Sequence, residues 1–241
     1  MHSPSAHAIL SSARHLVAGL LDVAFPPKCH ACGRLGPEAL CATCRAGFVD
    51  IVHPACQRCG LPGASLCRAC RGREAFRFER AIGAGLFEGT LRAAILRLKY
   101  DGRRRLAEPL GGYLAEALQR AGDLGADLVA PVPLHRSRYR QRGFNQSELL
   151  ARPVAVALGL PLEPGVLRRT RRTRVQALLR ASERERNVRG AFAASCPETV
   201  SGRRILLVDD VLTTLHTADE CARVLIEAGA SVVVVAGVAH G

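Results

Sequence analysis

The chain has no tryptophan, one methionine, three tyrosines and seven phenylalanines, so aromatic residues make up 4% of its 241 residues. With 48% of residues hydrophobic, the interior must be aliphatic, which suits an α/β core. The length allows one ample core plus a small second module. Lysine is nearly absent: Lys28 and Lys99 are the two, and arginine supplies the rest of the 34 basic residues. Set against 21 acidic residues, they leave a net charge of +13. Arginine's fork of donors suits phosphate, so the charge favours polyanionic partners without identifying one. Long apolar runs are missing as well. The stretch from Ala8 to Phe25 is interrupted by His15 and Asp22. It is too polar to span a bilayer, and no small-residue cleavage site follows it. Within it Ile9, Leu10, Ala13, Leu16, Val17, Leu20 and Leu21 recur at three- and four-residue spacing, which predicts an amphipathic helix over residues 1–25. With neither a secretion signal nor a span, the expected compartment is the reducing cytoplasm.

Cysteine, by contrast, is concentrated. Eight of the ten lie between Cys29 and Cys70 as four C-x-x-C pairs: Cys29 and Cys32, Cys41 and Cys44, Cys56 and Cys59, Cys67 and Cys70. A zinc ion takes four thiolates in a tetrahedron, and each pair supplies two from one tight turn. Four pairs therefore make two closed, structural zinc sites. Sequential pairing is the simplest, Cys29 to Cys44 around one ion and Cys56 to Cys70 around the other, while a cross-braced pairing of alternate knuckles stays open. Gly33 and Gly60 each follow a knuckle, where an N–H can turn toward a sulfur. His30 and His53 lie near the cysteines but are not needed as ligands. The pattern is that of a double zinc ribbon over residues 26–75, with an α/β domain over residues 76–241.

The second motif begins at Ile205 to Val208, an apolar run expected to be a strand buried on both faces. Asp209 and Asp210 follow where that strand should end. Next comes a hydroxyl-rich loop with Thr213, Thr214 and Thr217, leading into a helical pattern that Gly229 stops. The N–H groups at the start of such a helix, with the positive end of its dipole, hold a phosphate. Paired carboxylates accept hydrogen bonds from two neighbouring sugar hydroxyls. A ligand carrying a phosphate and a cis-diol, a ribose 5-phosphate, fits both halves.

Upstream, Thr90 to Tyr100 and Leu106 to Leu118 read as helices. Lys99 ends the first, a lysine in a chain that otherwise uses arginine. Asp127 to Leu134 reads as a strand stopped by Pro131 and Pro133. Arg136, Arg138, Arg140 and Arg142 then form a basic segment, read as a mobile flap over a diphosphate or a track for a nucleic-acid backbone. Ser147 is expected to cap the following helix, through Leu158. Arg168 to Arg174 is the densest charge run, extending a positive surface. Ser231 to Val238 is a final buried strand.

The acid pair and threonine loop resemble the signature of type I phosphoribosyltransferases, which bind phosphoribosyl pyrophosphate. The resemblance implies that Asp209 and Asp210 hold the ribose hydroxyls. It also implies that Thr213, Thr214, Leu215, His216 and Thr217 hold the 5-phosphate, and that Pro131 and Val132 end the strand beside the diphosphate, with Lys99 and the arginine flap. One residue departs from the motif: Leu215-His216 stands where a loop glycine is expected, and leucine resists positive φ. Several motifs then occur in order: Pro131-Val-Pro-Leu, Arg142-Gly-Phe-Asn-Gln, Thr173-x-x-Gln176, Glu183-Arg184, Asn187-Val-Arg-Gly-Ala-Phe192 and the acidic loop. With the ribbons, they are similar to the ComF family of competence-associated, phosphoribosyltransferase-like proteins. That likeness implies a mainly parallel sheet with helices on both faces and two structural zinc ions. It implies a phosphoribosyl pyrophosphate-type ligand with magnesium, and a part in single-stranded DNA uptake during natural transformation, beside DNA-uptake proteins. The alternative it leaves is a non-catalytic DNA-binding or protein-docking scaffold on the same fold, since no residue stands out as a general base for an acceptor.

Overall fold

The computed structural model describes residues 26–52, 54–71, 76–173 and 186–241. The helix expected over residues 1–25, His53, and Arg174, Gln176, Glu183 and Arg184 lie outside the described residues. In chain order the elements are α1 (Ala42–Ala46), α2 (Arg68–Arg71), β1 (Arg80–Leu86), α3 (Gly89–Tyr100), α4 (Ala107–Arg120), β2 (Leu128–Pro131), α5 (Arg136–Arg142), α6 (Gln146–Leu158), β3 (Leu167–Arg169), β4 (Phe192–Ala194), α7 (Pro197–Val200), β5 (Arg204–Leu212), α8 (His216–Glu227) and β6 (Val232–His240).

Four strands form one sheet in the order β1-β6-β5-β2, with every pairing parallel. Burial on both faces explains why β5 and β6 are continuous runs of branched aliphatic residues. Leu206, Val208, Val234 and Ala236 point into a core completed by α3, α4 and α6. The alternate residues Ile205, Leu207, Val233 and Val235 point into a second core completed by α8 and the β3–β4 ribbon. Helices thus cover both faces, as the fold-class expectation required.

Several boundaries differ from those expected. β5 does not stop at the acid pair but runs on to Leu212. Its neighbour β6 is equally long and pairs with it as far as Leu212↔His240, so the ladder carries the chain through both aspartates. Gly237, opposite Asp209, leaves room for this: a Cβ there would lie 2.5 Å from Leu212 Cγ. The basic segment expected as a mobile flap is the helix α5, its N-terminus capped by His135 and its end turned by Gly143 at φ 78°. The cap of α6 is Asn145, not Ser147; the Ser147 N–H donates to Asn145 Oδ1 at 3.2 Å.

The cysteine segment wraps the sheet's β1 edge. Ile51 N–H donates to Ala84 O (3.0 Å) and Leu86 N–H to Val49 O (2.8 Å), so the link between the two cysteine groups pairs with β1. The first group enters the core with α3 and α4, where Cys29, Cys44 and Phe48 pack. The second enters the opposite core, where Cys56, Cys59 and Cys70 pack with Phe78 and Ala81. Tyr113 of α4 fastens the link, its hydroxyl 2.8 Å from Asp50 Oδ1 and 2.9 Å from Ala84 O. Gly60, at φ 78°, lets the second group approach β1, since a Cβ would stand 2.6 Å from Ala81 O.

Candidate functional site

The eight cysteines gather in sequential groups. Sulfurs of Cys29, Cys32, Cys41 and Cys44 all lie within 4.8 Å of one another, as do those of Cys56, Cys59, Cys67 and Cys70. The open question of pairing is thereby answered against cross-bracing. Four sulfurs at about 2.3 Å from a central zinc sit about 3.8 Å apart. The observed separations of 3.8 Å (Cys29–Cys44), 3.8 Å (Cys32–Cys41) and 3.7 Å (Cys59–Cys67) match that edge length. The donor set and its spacing fit zinc, with no position left for a substrate. Burial opposes ionisation of Cys29 and Cys56, yet surrounding N–H groups, led by those of Cys41 and Cys67, bring each down to about 6. These two donors sit at equivalent points of the repeat, 3.3 Å from Cys29 Sγ and 3.4 Å from Cys56 Sγ. The N–H groups of Gly33 and Gly60, expected near a sulfur, donate instead to the carbonyls of Cys29 and Cys56, both at 2.8 Å.

A cavity of about 430 Å³ opens beyond the carboxyl ends of β1, β2 and β5, the usual place for a ligand in a parallel sheet. Asp209, Asp210 and Thr213 line one side, and Thr217 and Ala218 bring the first turn of α8 to it. Val132 lines it just past β2, while Pro131, the buried last residue of β2, does not line it. Lys99 reaches in from the end of α3, its ammonium 2.8 Å from Asp210 Oδ2. The lysine that stood out in an arginine-rich sequence thus meets the acid pair. Asp209 accepts from the Ser147 hydroxyl at 2.9 Å and from the Asp210 N–H at 2.8 Å. Burial, then the neighbouring Asp210 carboxylate, push the Asp209 carboxyl up to about 7, with Lys99 and these two donors opposing.

The four arginines of α5 divide by helical spacing. Arg138 and Arg142, one turn apart, line the cavity; Arg136 and Arg140 are exposed and do not. Arg142 bonds Gln146 and lies 5.6 Å over the Tyr100 ring. His216, placed in the phosphate loop by the resemblance, is buried, and neither it nor Thr214 lines the cavity. The Thr214 hydroxyl is buried without a hydrogen-bond partner among the described residues.

Leu215 resolves the departure noted in the sequence. It is the one non-glycine residue with positive φ among the described residues, at φ 62°, ψ 0°, and is the N-cap of α8. The backbone therefore adopts the turn that glycine would give. The side chain is 5% exposed and joins the apolar cluster under α8. Such a conformation costs a leucine about 1–2 kcal/mol, which burial of the side chain offsets at about 1.5–3 kcal/mol.

Among the residues that touch the cavity or its acid pair and went unnamed as site residues in the sequence are Ser147 and Arg169. Ser147 hid behind its capping signal, and Arg169 inside a basic run where position alone did not separate it from its neighbours. The "DNA utilization protein YhgH" of Escherichia coli K12 is 34% identical to the chain over 207 residues, covering 83% of this chain and 89% of that protein. The chain belongs to the ComF family. A second relative, "Competence protein F" of Haemophilus influenzae, is 29% identical over 216 residues, covering 86% of this chain and 92% of that protein. A family model described as a double zinc ribbon domain matches residues 20–71, where this ComF-family chain carries its two cysteine groups. Among solved structures, an allosteric regulatory enzyme of purine biosynthesis matches 54% of this chain and 25% of its own, with 28% identity and a TM-score of 0.38. Among the described residues no helix is long and apolar enough to cross a membrane.

Proposed function

We propose that this ComF-family chain binds a ribose 5-phosphate ligand of the phosphoribosyl pyrophosphate type, with magnesium on the diphosphate, and acts in the handling of single-stranded DNA. The names of its relatives, a competence protein and a DNA utilization protein, support the second half. The observation that carries the first half is the left-handed Leu215 between the acid pair and α8. A leucine held in a glycine's conformation keeps the turn a phosphate needs; its side chain is 5% exposed and packs in the apolar cluster with α8, and the residue also lines the cavity. Above that turn, the α8 N-terminus and Thr213 and Thr217 receive the 5-phosphate. Asp209 and Asp210 accept from the ribose hydroxyls. Lys99, already drawn to Asp210, and the cavity arginines oppose the ligand's remaining charge. If a transfer follows, positioning and electrostatic stabilisation of the leaving diphosphate supply most of the acceleration. Magnesium bound with the ligand would neutralise part of the diphosphate's charge.

Calorimetric titration of the zinc-loaded protein with ribose 5-phosphate and with magnesium phosphoribosyl pyrophosphate tests the reading. Micromolar-to-millimolar binding of both, abolished in Asp209→Ala/Asp210→Ala, is the expected result. Binding unchanged in that double variant overturns it.

A further inference from the structure

The turn from α5 into α6, where the Arg142-Gly-Phe-Asn-Gln motif lies, is fastened on several sides. Phe144 is buried, with the Arg104 guanidinium 4.6 Å from its ring centroid. Asn145 uses both ends of its amide: Oδ1 caps α6 by accepting the Ser147 N–H, and Nδ2 donates to Val132 O at 3.0 Å. The Val132 N–H in turn donates to Val208 O at 2.9 Å, one residue before the acid pair. The first turn of α6 is therefore fixed against the ends of both β2 and β5.

With the cap taken by Asn145, the Ser147 hydroxyl is left for another use. Ser147 is 0% exposed, and a hydroxyl so deep must find a partner. It donates to Asp209 Oδ1 at 2.9 Å, and the Asp210 N–H reaches the same oxygen at 2.8 Å. Both donors thus land on Oδ1, and Oδ2 is left unclaimed among the described residues. Four charged or titratable groups also act on Asp209: Asp210 beside it, Lys99 from α3, Arg169 from β3 and Cys221 from α8. Burial and Asp210 favour the neutral acid, whereas Lys99 and the two donors favour the carboxylate. The Cys221 thiol is itself held protonated by burial. Lys99 is drawn to Asp210, while the Ser147 hydroxyl is committed to Asp209.

We propose that Ser147 is a positioning residue of the sugar seat: its hydroxyl fixes the Asp209 side chain and keeps that carboxylate an acceptor, through Oδ2, for a ribose hydroxyl. Ser147 does not line the cavity and touches no ligand. The role rests on the proposed sugar-phosphate reading, but the contact through which it acts is present without ligand and can be tested there.

Two measurements on the zinc-loaded protein separate these demands. The first follows the Asp209 carboxyl carbon by NMR against pH with no ligand present, its signal assigned by its loss in Asp209→Asn. Removing a donor to the charged form raises the pKa, so in Ser147→Ala the titration should move to higher pH. The second titrates ribose 5-phosphate calorimetrically. Ser147→Ala is expected to bind about tenfold more weakly than wild type at pH 6.5 and within about threefold of it at pH 9, where Asp209 is ionised in both. Ser147→Cys fills the same space with a weak donor and should follow Ser147→Ala. In an Asp209→Asn background, Ser147→Ala should cost less than about twofold. An unmoved Asp209 titration overturns the proposal, as does an affinity loss that is the same at every pH or that persists in Asp209→Asn. Wild-type behaviour of Ser147→Cys would reduce the serine to packing and overturn it too. Failure of the underlying reading looks different: wild type and Asp209→Ala/Asp210→Ala would bind ribose 5-phosphate alike, while the ligand-free titration still moved in Ser147→Ala. Melting curves of each variant guard against a folding defect.

Discussion

Asp209 is the residue where charge, burial and the proposed ligand meet. Its carboxyl is pushed from 3.8 to about 7 by burial and by Asp210 beside it. Between those two values the folded protein holds a proton that the unfolded chain has released. Stability contributed by this group is therefore greatest at low pH and lost as pH rises toward 7. Asp209→Asn should flatten the decline in melting temperature across pH 4–7, and leave the variant more stable than wild type at pH 8. Ligand binding should run the other way. A carboxylate accepts from a sugar hydroxyl better than a neutral acid does, so ribose 5-phosphate affinity in wild type should climb through pH 7 more steeply than in Asp209→Asn. Using the difference between the two proteins cancels the phosphate's own titration. Leu215 gives a second residue-scale prediction. Replacing a buried leucine by alanine costs about 2–5 kcal/mol, and alanine keeps the left-handed penalty. Glycine loses the same burial but escapes that penalty of about 1 kcal/mol. Denaturant titration should thus find Leu215→Gly more stable than Leu215→Ala by about 1 kcal/mol, the reverse of the usual order, with ribose 5-phosphate affinity kept in the glycine variant.

Among the elements, the cysteine groups do more than close two turns. The first contributes Cys29 and Cys44 to the core on one face of the sheet, the second Cys56, Cys59 and Cys70 to the core on the other. His240, the last residue of β6, is tied to the second group through Nε2 and Cys59 O at 2.8 Å. Metal removal should accordingly be felt throughout the chain. With excess chelator, a single unfolding transition is expected to fall by about 10 °C or more, where a detachable module would leave the sheet's melting unchanged. That integration was not legible in the sequence. The C-x-x-C spacing announced the ligands and left sequential pairing as the simpler of two open arrangements, but nothing local told that the link at Val49–Ile51 would lie along β1. The two central strands were readable because burial on both faces leaves continuous runs of Val, Ile and Leu. The end of β5 was not, since its length is set by a partner, β6, distant in sequence. The same holds inside the cavity. Asp209, Asp210, Thr213 and Thr217 share one short segment and were found together. Arg169 and Ser147 arrive from other elements, and only the fold brings them to the cavity and its acid pair.

For the molecule as a whole, the net charge of +13 is divided between two settings. Lys99, Arg138, Arg142 and Arg169 face the cavity, while Arg136, Arg140, Arg168 and Arg172 face solvent. The inner set would meet the proposed compact ligand at short range, where salt screens poorly. The outer set can act on a long polyanion, and such binding releases condensed counterions. Aromatic residues are few, though Tyr139 and Tyr100 are exposed, at 48% and 67%, close to these arginines in sequence or contact. Stacking can therefore supplement backbone contacts without reading sequence. Single-stranded DNA affinity should then fall linearly with the logarithm of salt concentration, with little preference among mixed sequences of equal length. Each phosphate contact removed from a single strand lowers the slope by about 0.7. Arg136→Gln/Arg140→Gln should reduce it by about 1.4 and leave ribose 5-phosphate binding intact, whereas Asp209→Ala/Asp210→Ala should leave DNA affinity unreduced. Fluorescence anisotropy with labelled oligonucleotides at several salt concentrations checks both. A slope unchanged by the arginine pair would move DNA off this face, and a DNA affinity lost with the acid pair would place strand and sugar phosphate in the same cavity.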